Sequence, residues 1–333
     1  MSDENLELKK QGFYSAGGTV QKAAGTFDPI KGQMAPEGQI RHSDHANVFY
    51  QIPAKGNGHK IMFLPGYGQS RVSYMSTPDG RPGFSDIFLK KGYGVYLLDQ
   101  PRRGEAGQSS VPMTISAQPD DLNWFTQFRL GLWPKFMENT QFPKDEKSVD
   151  QFFRQMTPDT GEIDFSLIES TTVEALKTSG PSILMTHSQG GVPGWFIGAQ
   201  SDNVEAIVAI EPGAFVFPKE ETPEKIVTKY PMAIEGIPVS DDEYAKLIKK
   251  PIVVYYGDNI PDEPSDVPAW DFWRGSVQMS HKFADVVNAH GGDAKIVELP
   301  KEGIKGNDHF MFQDLNNKEV ADNIASWLAS KNL

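Results

Sequence analysis

The chain has 333 residues, enough for one large α/β domain with insertions or for two small domains, and its 38% hydrophobic content suffices for a substantial core. A formal net charge of −12, with no long basic run, argues against nucleic acid or an anionic membrane as the main partner, because both need clustered Lys and Arg. The absence of cysteine excludes disulfides, thiolate metal sites and a cysteine nucleophile.

Residues 1–11 read as a flexible N-terminal tail. The segment MSDENLELKKQG is polar and lacks the apolar centre of a signal peptide, so cytoplasm is the default expectation. No stretch approaches the roughly 18 uninterrupted apolar residues that a membrane span needs. Then come two early strands, GFYSAGG and HANVFYQIPA, separated by a loop rich in Gly and Pro.

From residue 60 onward, short apolar runs alternate with helical patterns. KIMFLPG (60–66), YGVYLLDQ (93–100), SILMTH (182–187), VEAIVAIEPG (204–213), KPIVVYYGD (250–258) and AKIVEL (294–299) read as strands. Residues 164–181 read as a helix opened by a capping box, Ser166 to Glu169, and closed by Gly180-Pro181. A helix from about Ser276 ends near His290, and a last one near 317–331 spaces Val320, Ile324, Trp327 and Leu328 on one face. Strands that are apolar throughout, separated by helices, predict an α/β fold with a mostly parallel central sheet covered on both faces.

Two stretches break the alternation. Residues 105–163 carry many aromatics, among them Trp124, Phe128, Trp133, Phe142 and Phe152, and residues 215–250 are rich in Pro and Glu. Inserted segments of this kind are where an α/β enzyme puts a lid or substrate pocket, and the plainer alternative is a helical patch that completes the core. The expected division is a core of 12–104, 164–214 and 251–333, with cap insertions at 105–163 and 215–250.

Ser188 stands just beyond the strand SILMTH, where ligands gather at the carboxyl ends of parallel strands. A nucleophilic serine on a strand–turn–helix bend needs small neighbours, usually as Gly-x-Ser-x-Gly. Here Thr186 replaces the first glycine, while Gly190 and Gly191 follow. The backbone N–H of Gln189 and one from the turn FLPGYGQS, best Tyr67, would receive an oxyanion. His309, in a glycine-containing loop after the last strand, is the expected general base. Of the remaining histidines, His187 is expected to project away from the serine. For the acid, Asp258 and Glu211 both close buried strands and both remain open. Asp258 also reads as a turn residue, whereas Glu211 would be costly to bury without a partner such as an imidazole.

These residues resemble the α/β-hydrolase superfamily through FLPGYG, THSQGG and NDHF. More narrowly, TPDGRPGF, LKKGYGVYLLDQPRRG, NTQFP, THSQGG, AIEPG and GNDHFMFQDLNN are similar to a bacterial serine esterase group with a His-Ser-Gln nucleophile elbow and a glutamate acid. The resemblance implies an α/β-hydrolase fold with an inserted helical cap. It implies Ser188, His309 and Glu211 as catalytic residues, with Tyr67 and Gln189 giving the oxyanion N–H groups. Relatives can carry two cysteines where this chain has Tyr67-Gly68, so their substrate preference does not carry over. The resemblance implies an ester hydrolase, and the aromatics of residues 105–163 suggest a small or medium ester with an apolar or aromatic moiety. No cofactor or metal is expected, and a homodimer would be in keeping with the group. The rival class is a ligand-binding protein or receptor on the same fold with little turnover.

Overall fold

A computed structural model describes residues 5–113 and 115–333. Eight strands form the central sheet: β1 (Leu8–Ala16), β2 (Ala46–Pro53), β3 (Lys60–Leu64), β4 (Gly94–Asp99), β5 (Ser182–His187), β6 (Val204–Ile210), β7 (Ile252–Tyr256) and β8 (Ala294–Glu298). Their spatial order is β1-β2-β4-β3-β5-β6-β7-β8. β1 and β2 pair antiparallel, as do β2 and β4, and all later pairings are parallel. This is the α/β-hydrolase arrangement expected from the sequence.

The helices are α1 (Phe84–Lys90), α2 (Asp121–Gln127), α3 (Glu146–Arg154), α4 (Phe165–Ser179), α5 (Gly191–Gln200), α6 (Asp241–Leu247), α7 (Pro268–Ala289) and α8 (Asn317–Ser330). Strand side chains alternate between faces, and the two faces feed two separate cores. Met62, Leu64, Leu184 and Val254 pack with Trp195 of α5 and Phe283 of α7. Ile61, Phe63, Met185 and Val253 pack with Phe88 of α1 and Leu328 of α8. Because the inner strands β3 to β7 are buried on both sides, their sequences are apolar with little alternation.

Several boundaries differ from the sequence reading. β1 begins at Leu8, so Leu8–Gln11 of the expected tail are strand; residues 1–4 lie outside the described residues. β1 is an edge strand with an exposed face, and its Lys9, Lys10 and Gln11 make it look like tail. Helix α4 is capped by Asp164, whose side chain accepts from the Leu167 N–H at 3.0 Å, and Ser166 lies inside the helix. The capping box is found instead on α6, between Ser240 and Glu243. Helix α7 starts at Pro268, well before Ser276, with the proline in its first turn, where a missing N–H costs nothing.

The two insertions hold α2 and α3, and α6 with a short parallel pair of Phe215–Pro218 and Gly236–Val239. Phe125, Phe128, Phe142 and Phe152 of the first insertion are buried within the second core. The aromatic segment therefore completes the core and, as described next, also walls a cavity.

Candidate functional site

Ser188 sits between β5 and α5 with φ +51°, the left-handed region that a non-glycine residue rarely adopts. Close backbone approach makes the bend possible. A Cβ placed on Gly66 would lie 2.8 Å from the Ser188 Cβ, one on Gly190 would meet the Pro65 carbonyl at 2.6 Å, and one on Gly191 would meet Pro212 at 2.6 Å. These three glycines let the ends of β3, β5 and β6 converge.

The turn after β3 is pinned through its carbonyls. Gln100 Nε2 donates to Pro65 O at 2.7 Å, buried Arg103 donates to Gly66 O at 2.6 Å, and Thr157 N–H donates to Gly68 O at 2.8 Å. Arg103 also donates to Gln189 Oε1 at 3.2 Å and is itself held by Asp159 in two bonds of 2.8 and 3.0 Å. Among the described residues the Tyr67 N–H has no acceptor. Tyr67 and Gln189 both border the cavity that Ser188 and His309 line.

His309 is buried, and its Nδ1 lies 2.5 Å from Glu211 Oε2. That contact leaves Nε2 as the ring nitrogen free for the cavity. Glu211 directly follows β6 with φ +46° and is fully buried. Its Oε1 accepts from the Gly257 N–H at 2.7 Å, and both oxygens accept from Arg129, one of them at 2.8 Å. Burial alone would raise the Glu211 pKa, but Arg129 and His309 outweigh it and hold the carboxyl down at about 2. Burial, with Arg129 in support and Glu211 opposing, lowers the His309 pKa below the ordinary value.

Asp258 does not reach His309. Its Oδ2 accepts from Gly306 N–H at 2.8 Å and Asn139 Nδ2 at 3.0 Å, and its Oδ1 accepts from Asn259 N–H at 2.7 Å. It anchors the start of the loop that carries His309. Of the two acids left open by the residues, Glu211 is the one in contact with the imidazole.

His187, expected to project elsewhere, turns toward His309: its Nε2 donates to the His309 carbonyl at 2.9 Å, and the rings stand 4.5 Å apart. Burial and the neighbouring imidazole push its pKa well below the ordinary value. Strand alternation could have shown this, since Ile183, Met185 and His187 share one face of β5.

The sequence reading missed Arg129 altogether. It is fully buried, has φ +64°, and belongs to the 105–163 insertion. Next to it, Phe128 stacks on the His309 ring at 5.5 Å and 13°. Three consecutive carbonyls at the end of α2 are bonded by groups of the hydrolase core. Trp270 Nε1 donates to Thr126 O at 3.1 Å, Trp273 Nε1 to Gln127 O at 2.9 Å, and His309 N–H to Phe128 O at 3.0 Å.

The cavity itself has a volume of about 700 Å³. Trp124 and Phe128 of the first insertion, Met232 and Ile234 of the second, and Phe272 and Trp273 of α7 supply apolar wall. Trp133 is not part of the wall; it is half-exposed and packs edge-on against Phe125. Among the described residues no group of three or more His, Asp or Glu is arranged to hold a metal ion, and no helix is long and apolar enough to cross a membrane.

The solved structure of a bacterial esterase matches this chain with a TM-score of 0.78 and 26% identity, covering 98% of this chain and 97% of its own. The chain has the α/β-hydrolase fold. A fungal protein described as "Probable secreted lipase phiG" is 28% identical over 297 residues, which are 80% of this chain and 81% of that protein. No protein-family model matches the chain.

Proposed function

We propose that the protein is a serine carboxylic-ester hydrolase that works through an acyl-enzyme. The observation that carries this reading is the shared cavity: Ser188, held at φ +51°, and His309, held by Glu211 through Nδ1, line the same space. The two similar proteins, one named an esterase and the other a lipase, support the same class.

In this reading His309 Nε2 takes the hydroxyl proton as Ser188 Oγ attacks the ester carbonyl. The N–H groups of Tyr67 and Gln189 bind the developing oxyanion, and their turns are already fixed by Arg103 and Gln100. The imidazolium formed is stabilised by ionised Glu211 and returns its proton to the leaving alcohol. Water then attacks the acyl-enzyme by the same proton path in reverse. A buried, pre-ionised carboxylate on Nδ1 fixes the tautomer that the first step needs.

The substrate is an uncharged ester of small or medium size with an apolar or aromatic moiety. Aromatic and aliphatic walls favour such a group, and Glu235, at the exposed side of the cavity, disfavours a carboxylate on the substrate. The test is hydrolysis of a graded panel of nitrophenyl esters, with labelling by a serine-directed fluorophosphonate. Ser188→Ala is expected to lose the label and at least about a thousand-fold in kcat/KM. Substantial hydrolysis by a folded Ser188→Ala protein would overturn the reading, and a wild-type protein that neither labels nor turns over would favour a ligand-binding role.

A further inference from the structure

Resting on the serine-esterase reading, we propose that Arg129 is a positioning residue for Glu211, and that docking of the 105–163 insertion thereby completes the acid–base pair. The insertion is thus more than a wall of the cavity. It delivers the cation that holds the acid.

The argument begins with the cost of burial. Glu211 and Arg129 are both fully removed from solvent, and an isolated ion there would be heavily penalised. Each is the other's compensation. The guanidinium meets both carboxylate oxygens, so it fixes the plane of the carboxylate as well as its charge. Its Nε donates to the Asp258 carbonyl at 3.1 Å, tying the fork to the end of β7. The face of Trp273 covers the guanidinium at 5.3 Å.

With its plane fixed, Glu211 can offer Oε2 to His309 and Oε1 to the Gly257 N–H at once. A carboxylate just past β6 at positive φ has no other side-chain partner among the described residues to select this rotamer. Arg129 can reach it only because its neighbours are docked. Phe128 accepts from the His309 N–H and stacks on its ring, and the two indoles of α7 hold the carbonyls of Thr126 and Gln127. One four-residue stretch, Thr126 to Arg129, therefore touches the acid, the base and the helix behind them.

A structural ion pair and a positioning pair differ in what their loss does to the imidazole. Around Glu211 and His309 the other titratable groups are His187 on β5, Tyr256 at the end of β7, and Asp308 with Asp314 on the His309 loop. None of these donates to Glu211, so removal of Arg129 leaves the carboxylate charge to His309 and the Gly257 N–H alone. The imidazolium is then favoured, and the acid limb of the rate profile should move to higher pH.

The experiment compares kcat, KM and the pH profile of kcat/KM for wild type, Arg129→Lys and Arg129→Met on one nitrophenyl ester, with fluorophosphonate labelling and near-UV circular dichroism in parallel. Arg129→Met is expected to lose about 10- to 100-fold in kcat with little change in KM, the scale seen when a group orienting a ligating imidazole is removed. Its acid limb should shift upward. Arg129→Lys keeps the charge but not the fork and should fall between the two. If Arg129→Met does not fold, the same limb shift is read in Arg129→Lys, at smaller amplitude. A folded variant with wild-type kcat and an unmoved acid limb overturns the proposal while labelling at Ser188 leaves the esterase reading intact. Absence of both labelling and turnover in the wild type overturns both.

Discussion

The γ-methyl of Thr186 fits against the bare backbone of Gly194: a Cβ at residue 194 would stand 2.7 Å from Thr186 Cγ2. The pair explains how threonine can occupy the position that is usually the first glycine of the elbow. The space is supplied from the facing helix, α5, instead of from the strand. Ordinary helix propensity says that Gly194→Ala should stabilise by up to about 1 kcal/mol. Overpacking a buried contact typically costs about 1–3 kcal/mol, so the clash should win and the melting temperature should fall. Thr186→Ser removes only the offending methyl, and the next atoms stand at 3.6 and 3.7 Å. Gly194→Ala should then be neutral or stabilising in the Thr186→Ser background, as a double-mutant cycle by thermal melting would read. An unchanged melting temperature for Gly194→Ala alone would show that the contact is slack.

Glu211 and Asp258 end neighbouring strands but hold different things. Glu211→Gln is expected to reduce kcat by about four orders of magnitude, because an amide can donate to Nδ1 and select the wrong tautomer. Asp258→Asn keeps an acceptor for the Gly306 N–H and should retain most activity while losing about 1–2 kcal/mol of stability. Paired kinetics and melts of the two variants decide this. Equal loss of activity would remove the distinction.

Asp308 and Asp314 form a buried carboxyl pair on the His309 loop. Asp314 Oδ2 accepts from the Asp308 N–H at 3.0 Å and Asn307 Nδ2 at 2.9 Å, while Asp308 Oδ2 and Asp314 Oδ1 have no partner among the described residues. Burial first, then mutual repulsion, raises Asp314 well above the ordinary carboxylate range, and burial raises Asp308. The folded protein therefore keeps a proton that the unfolded chain has already released, so stability should fall as pH rises from the ordinary carboxylate range toward neutrality. Asp314→Asn supplies a permanent donor to the pair. Its gain in melting temperature should be larger at pH 8 than at pH 5, and a gain independent of pH would refute the retained proton.

Trp124 and Trp133 should behave differently although both are tryptophans of one insertion. Trp124 lines the cavity, stacks on Phe128 and packs at a tilt against Tyr67, each at 5.1 Å, whereas Trp133 stands outside. Trp124→Ala is expected to shift preference toward bulkier acyl groups across the nitrophenyl panel, and Trp133→Ala to leave the ranking unchanged. Identical rankings for wild type and Trp124→Ala would deny the wall a role in selection.

The inner strands and the serine bend were readable because the middle of the sheet is buried on both faces and its apolar runs are uninterrupted, whereas the spatial order of the strands came only from the structure. Ser188 and His309 follow from their places just beyond strands. Which carboxylate meets the imidazole could not be read from the residues alone, since Glu211 and Asp258 both emerge at the same end of adjacent parallel strands. Which one turns inward depends on Gly306 and Asn139, contributed from other parts of the chain. Arg129 was hidden by an insertion with no strand pattern. One signal existed: an arginine between Phe128 and Leu130 in an aromatic-rich segment calls for a buried anion, as Glu211 calls for a cation.

The carbonyls of Thr126, Gln127 and Phe128 are all bonded by side chains or amides of α7 and the His309 loop. The end of α2 is consequently part of the same cooperative unit as the sheet, and its amides should exchange with deuterium only when the whole domain opens. Residues 231–235 face it from an exposed side of the cavity, where Met232 is 65% exposed, so any give in the walls should come there and not from the end of α2.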